Sequence, residues 1–173
     1  GRINQSVSRW CYDKLSLDEL CEAAAKMGIK SVELLEEKEL ETVDECIPLK
    51  ETPTVTWVNV EGVHEVEVLE KLGNCFGLHP LVIEDILNTD QRPKMEDFGD
   101  YIYIVLKMFV SGDGRSEEPL SEQISIILGK DFVISFQERK SGVFHALRER
   151  IRSNKGRMAK MGADYLAYAI LDT

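Results

Sequence analysis

The stretch His79–Met108 reads HPLVIEDILNTDQRPKMEDFGDYIYIVLKM and contains the clearest fold signals in the chain. His79 occupies a helix N-cap position, and Pro80 suits the first helical position because its backbone angle φ is already helical. The helical pattern stops before Arg92, because Pro93 disfavours the helical conformation of the residue that precedes it. The apolar contacts of this predicted short helix are Leu81, Ile83, Ile86 and Leu87.

A long strand is predicted next, over Asp100–Val110. The side chains of a strand alternate between its two faces. One face of this segment carries Tyr101, Tyr103, Val105 and Phe109, and the other carries Ile102, Ile104, Leu106 and Met108. Both faces are apolar except at Lys107, so we expect a central strand that is covered on both sides.

The rest of the chain alternates strand and helix patterns around this segment. Upstream, we expect a strand over Val7–Tyr12, a helix from Ser16 to Gly28, an acidic helix over residues 31–46, a strand over Thr54–Val60 and a helix over His64–Phe76. Downstream, we expect a polar loop over Ser111–Pro119 and then strands over Glu122–Leu128 and Asp131–Gln137, with Gly129-Lys130 as their two-residue turn. Two helices should follow. The first buries Val143, Phe144, Leu147 and Ile151, and the second lies in ADYLAYAILDT. The predicted fold class is α/β, a mixed, partly antiparallel sheet flanked by helices on both sides, with residues 1–173 in a single domain.

Composition narrows the classes of function. With 43% hydrophobic and 30% charged residues the chain is ordinary globular material, and no apolar run approaches the roughly 18 residues that cross a bilayer. The net charge of −10 argues against a nucleic-acid partner, because the phosphates would be repelled. The four cysteines are far apart and form no CxxC pair, so neither a disulfide framework nor a thiolate zinc site is expected.

Motifs of enzymatic catalysis are missing from the sequence, so we expect a protein that is not an enzyme. The three histidines stand apart, and neither GxSxG nor a phosphate-binding glycine loop is present. The remaining candidates are Glu84 and Asp85, which are adjacent and therefore roughly 100° apart around a helix. That geometry is poor for a local metal cage and better for meeting groups of another helix or a neighbouring subunit. An adjacent acidic pair is, by itself, more often plain surface charge.

Four consecutive motifs also carry a family resemblance. They are TWVNVEG at Thr56–Gly62, FGLHPLVIEDILN at Phe76–Asn88, QRPKMEDF at Gln91–Phe98 and DYIYIVLKMF at Asp100–Phe109. Together they resemble the N-terminal cytoplasmic domain of CorA magnesium and divalent metal ion transporters, over roughly Val55–Thr173. The resemblance implies a homopentameric Mg²⁺ channel at the cell membrane, with Co²⁺ as a second candidate ion and this domain on the cytoplasmic face. The last helix lacks a stop signal, and the resemblance implies that it leads into a long stalk helix and then to membrane helices outside this sequence.

The resemblance also assigns residues. In the CorA family, carboxylates of the short helix and of the start of the stalk bind regulatory Mg²⁺ between neighbouring subunits, and those positions match Glu84, Asp85 and Asp172. We further expect Arg92 to pair with a carboxylate and to hold the acidic helix in place. Three alternatives stay open: a related zinc or cobalt transporter, a Mg²⁺-dependent phosphohydrolase that uses Glu84 and Asp85, and an assembly domain that binds no particular ion.

Overall fold

The structure is a computed structural model that describes residues 6–8, 31–33, 42–46, 55–110, 120–153 and 162–173. Its strands are β1 (Ser6–Ser8), β2 (Ser31–Glu33), β3 (Thr56–Glu61), β4 (Lys94–Asp97), β5 (Tyr101–Val110), β6 (Leu120–Gly129) and β7 (Phe132–Gln137). Its α-helices are α1 (Val66–Phe76), α2 (Pro80–Leu87), α3 (His145–Ser153) and α4 (Ala163–Leu171), and a short 3₁₀ helix spans Val43–Cys46. The helix predicted from Ser16 to Gly28 and the loop predicted over Ser111–Pro119 lie outside the described residues.

Five of the strands form a mixed sheet in the order β3-β7-β6-β5-β4. Strands β4 to β7 follow one another as an antiparallel meander, and β3 joins β7 in parallel. The predicted α/β class and the partly antiparallel sheet are confirmed. The predicted central position of β5 is wrong, because β6 is central and β5 is second from the edge. Apolar residues on both faces of a strand indicate that helices cover it, but they do not define its lateral position.

Helices cover both faces of this sheet, as predicted. Helices α1 and α2 pack on one face, where Leu69, Leu72 and Ile86 join Tyr103 and Ile134 in one core. Helices α3 and α4 pack on the other face in a second core, which contains Ile124, Ile126, Val133, Phe144, Leu147, Ala167 and Ile170. The two faces of the sheet therefore carry different helices, and this separation decides which acidic residues can lie near one another.

Helix α2 begins at the predicted cap. His79 Nδ1 accepts a hydrogen bond from the Leu81 N–H at 3.2 Å, and the His79 N–H donates to the Tyr101 hydroxyl at 2.9 Å. Ile83 and Ile86 are buried as predicted, but Leu81 is 61% exposed and Val82 is buried in its place. The buried face of a helix repeats at three and four residues, and Val82, Ile83 and Ile86 follow that spacing.

Two further expectations are wrong, and one strand is additional to those predicted. Residues 31–46 do not form one acidic helix, because Ser31–Glu33 pairs in parallel with Ser6–Ser8 in a separate two-stranded sheet. Residues 94–97, for which the sequence analysis predicted no strand, pair with β5 as the edge strand β4. Phe109 is 73% exposed, so it is not a core residue of β5. Charged residues suit an edge strand, where they discourage pairing with other chains, and that makes such a strand hard to distinguish from a loop.

The remaining boundaries agree closely with the sequence. Helix α1 buries Leu69, Leu72 and Phe76, and it ends at Gly77 in the left-handed conformation with φ of 70°. Strands β6 and β7 form the predicted hairpin, with Lys130 and Asp131 between the strand ends. No helix among the described residues is long and apolar enough to cross a membrane. The prediction of a single domain over residues 1–173 stays a prediction.

Candidate divalent-cation site

Asp85 lies on helix α2 and is held by residues of the following turn and edge strand. Its Oδ1 accepts a hydrogen bond from Gln91 Nε2 at 2.9 Å, and its Oδ2 accepts one from Lys94 Nζ at 2.6 Å. The side chain is 25% exposed. Strand β4 fixes the position of Lys94 through its pairing with Val105 of β5. Asp85 is therefore a half-buried and oriented carboxylate, unlike a freely rotating surface residue.

Glu84, the preceding residue of α2, is exposed. It contributes to an open cleft of about 470 Å³ between α2 and β4. Four carboxylates and one ammonium line this cleft, which gives it a formal charge of −3 (four negative charges and one positive). The lining residues are Leu81, Val82, Glu84, Asp85, Lys94, Glu96, Asp97 and Phe98. A cleft of this charge attracts cations rather than anions.

Asp172 lies elsewhere, at the C-terminal cap of helix α4. Its backbone N–H donates to the Tyr168 carbonyl at 3.0 Å, and its side chain is exposed. Helix α4 packs on the sheet face opposite to the one that carries α2. The structure therefore does not bring Asp172 together with Glu84 and Asp85 within one chain.

The donor set suits a hard cation but does not complete a site. Carboxylate oxygens are the ligands that Mg²⁺ prefers, and Mg²⁺ keeps several of its waters, so it needs only one or two protein carboxylates. Among the described residues, no group of three or more His, Cys, Asp or Glu side chains is placed to hold a metal ion. Within the part of the chain that the structure describes, the two acidic positions are thus separate, and neither is a complete metal site by itself.

Lys94, and not Arg92, makes the contact that the sequence assigned to Arg92. Arg92 is exposed, and among the residues that the structure describes no carboxylate pairs with it, so its predicted pairing is not seen there. Lys94 pairs with Asp85 and with Glu96, and its ammonium lies 5.5 Å from the centre of the Tyr103 ring. The hydrogen bond to Asp85 raises the pKa of Lys94 above its ordinary value. Burial raises the pKa of Tyr103 to about 12.

Gln123 is a positioning residue that the sequence analysis missed. It lies in the central strand β6 and is only 2% exposed. Its Nε2 donates to the carbonyls of Asn88 at 3.1 Å and Asp85 at 3.4 Å, and its Oε1 accepts from the Gln91 N–H at 3.1 Å. These bonds tie the end of α2 and the following turn to the sheet. The strand pattern SEQISIIL gives no signal of this role, because Ser121, Glu122 and Ser125 near Gln123 are polar as well.

Comparison with known proteins defines the family. The family model described as "CorA-like Mg2+ transporter protein" matches residues 53–173, which is more than half of the chain. The chain belongs to the CorA-like family. It is also similar to the cobalt/magnesium transport protein CorA of Thermotoga maritima, with 46% identity over 142 residues that cover 82% of this chain. The same match covers 40% of the Thermotoga protein, so the chain spans well under half the length of that CorA relative.

Two solved structures share the fold. The complete CorA magnesium transporter of Methanocaldococcus jannaschii matches with a TM-score of 0.55 and 20% identity, over 80% of this chain and 39% of that one. The ZntB cytoplasmic domain of Vibrio parahaemolyticus matches with a TM-score of 0.51 and 16% identity, over 70% of this chain and 50% of that one. At these identities the similarity establishes the fold alone. The resemblance read from the four sequence motifs is confirmed.

Proposed function

We propose that this chain is the cytoplasmic regulatory domain of a homopentameric membrane channel that conducts Mg²⁺ and also Co²⁺. Glu84 and Asp85 of one subunit and Asp172 of its neighbour bind a regulatory Mg²⁺ between them. Membership of the CorA-like family and the name of the Thermotoga relative support the transported ions. The observation that carries the shared site is the placement of α2 and α4 on opposite faces of one sheet. Carboxylates on opposite faces of one chain can approach one another only across a contact between two copies of the chain.

The gating step follows from electrostatics. When a divalent cation is bound, acidic groups from two subunits are neutralised together, and the ring of subunits is held closed. When the cytosolic Mg²⁺ concentration falls, the same carboxylates repel one another and the ring loosens. A site of millimolar affinity supplies only about 4 kcal/mol at the standard state. Several sites around a ring are therefore needed to move the equilibrium firmly.

The proposed domain binds an ion and performs no chemical reaction. His79 already accepts the Leu81 N–H through Nδ1, so that nitrogen is engaged in capping α2. Asp85 accepts hydrogen bonds from Gln91 and Lys94, so its carboxylate is not free to act as the general base of a hydrolytic reaction. We therefore prefer the regulatory role to the phosphohydrolase alternative. Because the matched relatives are transporters, we also place the domain on the cytoplasmic side of the membrane.

Transport measurements test this proposal. We expect the complete natural protein in liposomes to carry Mg²⁺ inward and to be inhibited by millimolar Mg²⁺ on the side of this domain. Asp85→Asn, Asp172→Asn and Glu84→Gln should each weaken that inhibition, because each removes one negative ligand. Asp131→Asn is the matched control, since Asp131 lies in the turn between β6 and β7. Inhibition that is the same in all four variants as in the unaltered protein would refute the shared site.

A further inference from the structure

Lys94 places a positive charge directly on the carboxylate that would bind the regulatory ion. Its Nζ lies 2.6 Å from Asp85 Oδ2, and the two side chains are only 27% and 25% exposed. Ion pairs that are partly buried are screened by salt less than pairs on an open surface. The Lys94 ammonium therefore occupies one oxygen of Asp85 in this conformation of the chain.

The same ammonium has a second partner within reach. Lys94 Nζ lies 3.2 Å from both carboxylate oxygens of Glu96. Lys94 and Glu96 are two residues apart on β4, so their side chains project from the same face of the strand. Glu96 is 44% exposed and is not one of the predicted ligands. Lys94 can thus leave Asp85 and keep an ion pair without moving its backbone.

We propose that Lys94 is a built-in competitor that sets the Mg²⁺ concentration at which the regulatory site fills. Lys94 neutralises Asp85 while the site holds no divalent cation, and it is released to Glu96 when Asp85 becomes a ligand. This inference rests on the proposed function, because it takes Asp85 as a ligand. The free energy of the Lys94–Asp85 pair opposes divalent binding, so the site responds at a higher Mg²⁺ concentration than the carboxylates alone would give.

The first test replaces the competitor. The measured quantity is the Mg²⁺ concentration that produces half of the maximal thermal stabilisation of the complete natural protein. Lys94→Met keeps an unbranched side chain without the charge, and it should lower this midpoint roughly three- to tenfold, as expected for the loss of one partly screened ion pair. Lys94→Arg keeps the charge and should stay within about twofold of the unaltered protein. Lys130→Met is the matched control, because it removes the same charge from the turn between β6 and β7, and its midpoint should not change.

The second test asks whether Glu96 acts through Lys94. Glu96→Gln leaves the ammonium with Asp85 alone, so this substitution should raise the midpoint. In the Lys94→Met background the same substitution should have almost no effect on the midpoint, since there is no Lys94 ammonium that could move to Glu96. A change equally large in both backgrounds would mean that Glu96 acts only as a general negative charge, and it would contradict the release of Lys94 to Glu96.

The Asp85→Asn variant distinguishes a failure of the Lys94 competitor from a failure of the regulatory site. If Asp85→Asn raises the midpoint while Lys94→Met leaves it unchanged or raises it, the competitor is refuted and the regulatory site stands. If Asp85→Asn leaves the midpoint unchanged, Asp85 is not a ligand, and both proposals are overturned. If Lys94→Met lowers the midpoint when Asp85 is present, but has no effect in a protein that also carries Asp85→Asn, Lys94 acts through Asp85 as inferred.

Discussion

The side-chain amide of Gln123 donates a hydrogen bond to the backbone carbonyl of Asn88 at 3.1 Å, and so joins the centre of the sheet to the end of helix α2. Gln123 also accepts the Gln91 N–H at 3.1 Å. The buried side-chain amide of Gln123 therefore holds the turn that connects Asp85 on α2 to Lys94 on β4. The acidic cleft is positioned from the sheet below it as well as from its own helix.

Replacing Gln123 with Leu should destabilise the fold and loosen this turn. The Asn88 carbonyl and the Gln91 N–H would lose their partner, and two such hydrogen bonds at about 0.5–1.5 kcal/mol each contribute about 1–3 kcal/mol together. We expect the free energy of unfolding in urea to fall by about that amount. Ser121→Ala is the control, because Ser121 is exposed on the same strand and its loss should cost under about 0.5 kcal/mol. Equal stability of Gln123→Leu and the unaltered protein would contradict the positioning role.

The contact between α1 and α2 depends on the absence of a side chain at Gly73. A Cβ atom placed there would lie 2.8 Å from Ile83 Cδ1 and 3.0 Å from Ile83 Cγ1. Gly73→Ala should therefore push α2 outward and cost about 1–3 kcal/mol, despite the better helix propensity of alanine. Chemical denaturation measures this cost, with Asn74→Ala on the exposed side of α1 as the control. A gain in stability for Gly73→Ala would show that Ile83 moves aside without cost.

We predict that the folded protein loses stability at alkaline pH because of the buried phenol of Tyr103. Burial raises its pKa from 10.0 to about 12, so the folded state keeps the phenol neutral where the unfolded state ionises it. The resulting stabilisation is complete below pH 10 and is lost as the pH rises from 10 towards 12. A shift of two pKa units corresponds to about 3 kcal/mol.

Comparison with Tyr103→Phe measures this effect. The phenylalanine variant cannot ionise, so its free energy of unfolding should fall less steeply with pH than that of the unaltered protein. The long contact from the Tyr103 hydroxyl to Ser125 Oγ, at 3.5 Å, contributes little to the comparison. Parallel pH curves for the two proteins would contradict the raised pKa.

Local signals in the sequence predicted helices α1 and α2, which cover one face of the sheet. The His79 cap, Pro80 and the apolar spacing of α1 each act within one or two helical turns, and all three were interpreted correctly. Strand β4 was missed because Lys94–Asp97 has no apolar alternation, and only its pairing with β5 makes it a strand. The family resemblance was also correct, because four motifs in order are far more specific than any one.

The organisation of the candidate site could not be predicted in the same way. The contacts of Gln123 with Asp85 and Asn88 join residues 38 and 35 positions apart, so they depend on the register of the whole sheet. Lys94 rather than Arg92 pairs with Asp85, because strand β4 holds Lys94 in position and does not include Arg92. The separation of Asp172 from Asp85 follows from the assignment of α4 and α2 to opposite sheet faces, which spacing in the sequence does not define.

Mixed assemblies of two variants test the shared site most directly. In a ring of head-to-tail neighbours, Asp85→Asn subunits and Asp172→Asn subunits co-assembled in equal amounts regain both carboxylates at about one interface in four. Assemblies of either variant alone regain none. We predict that the mixed assembly recovers part of the Mg²⁺-dependent thermal stabilisation that both pure variants have lost. A mixed assembly no more stabilised by Mg²⁺ than the pure variants would contradict an ion held between Asp85 of one subunit and Asp172 of the next.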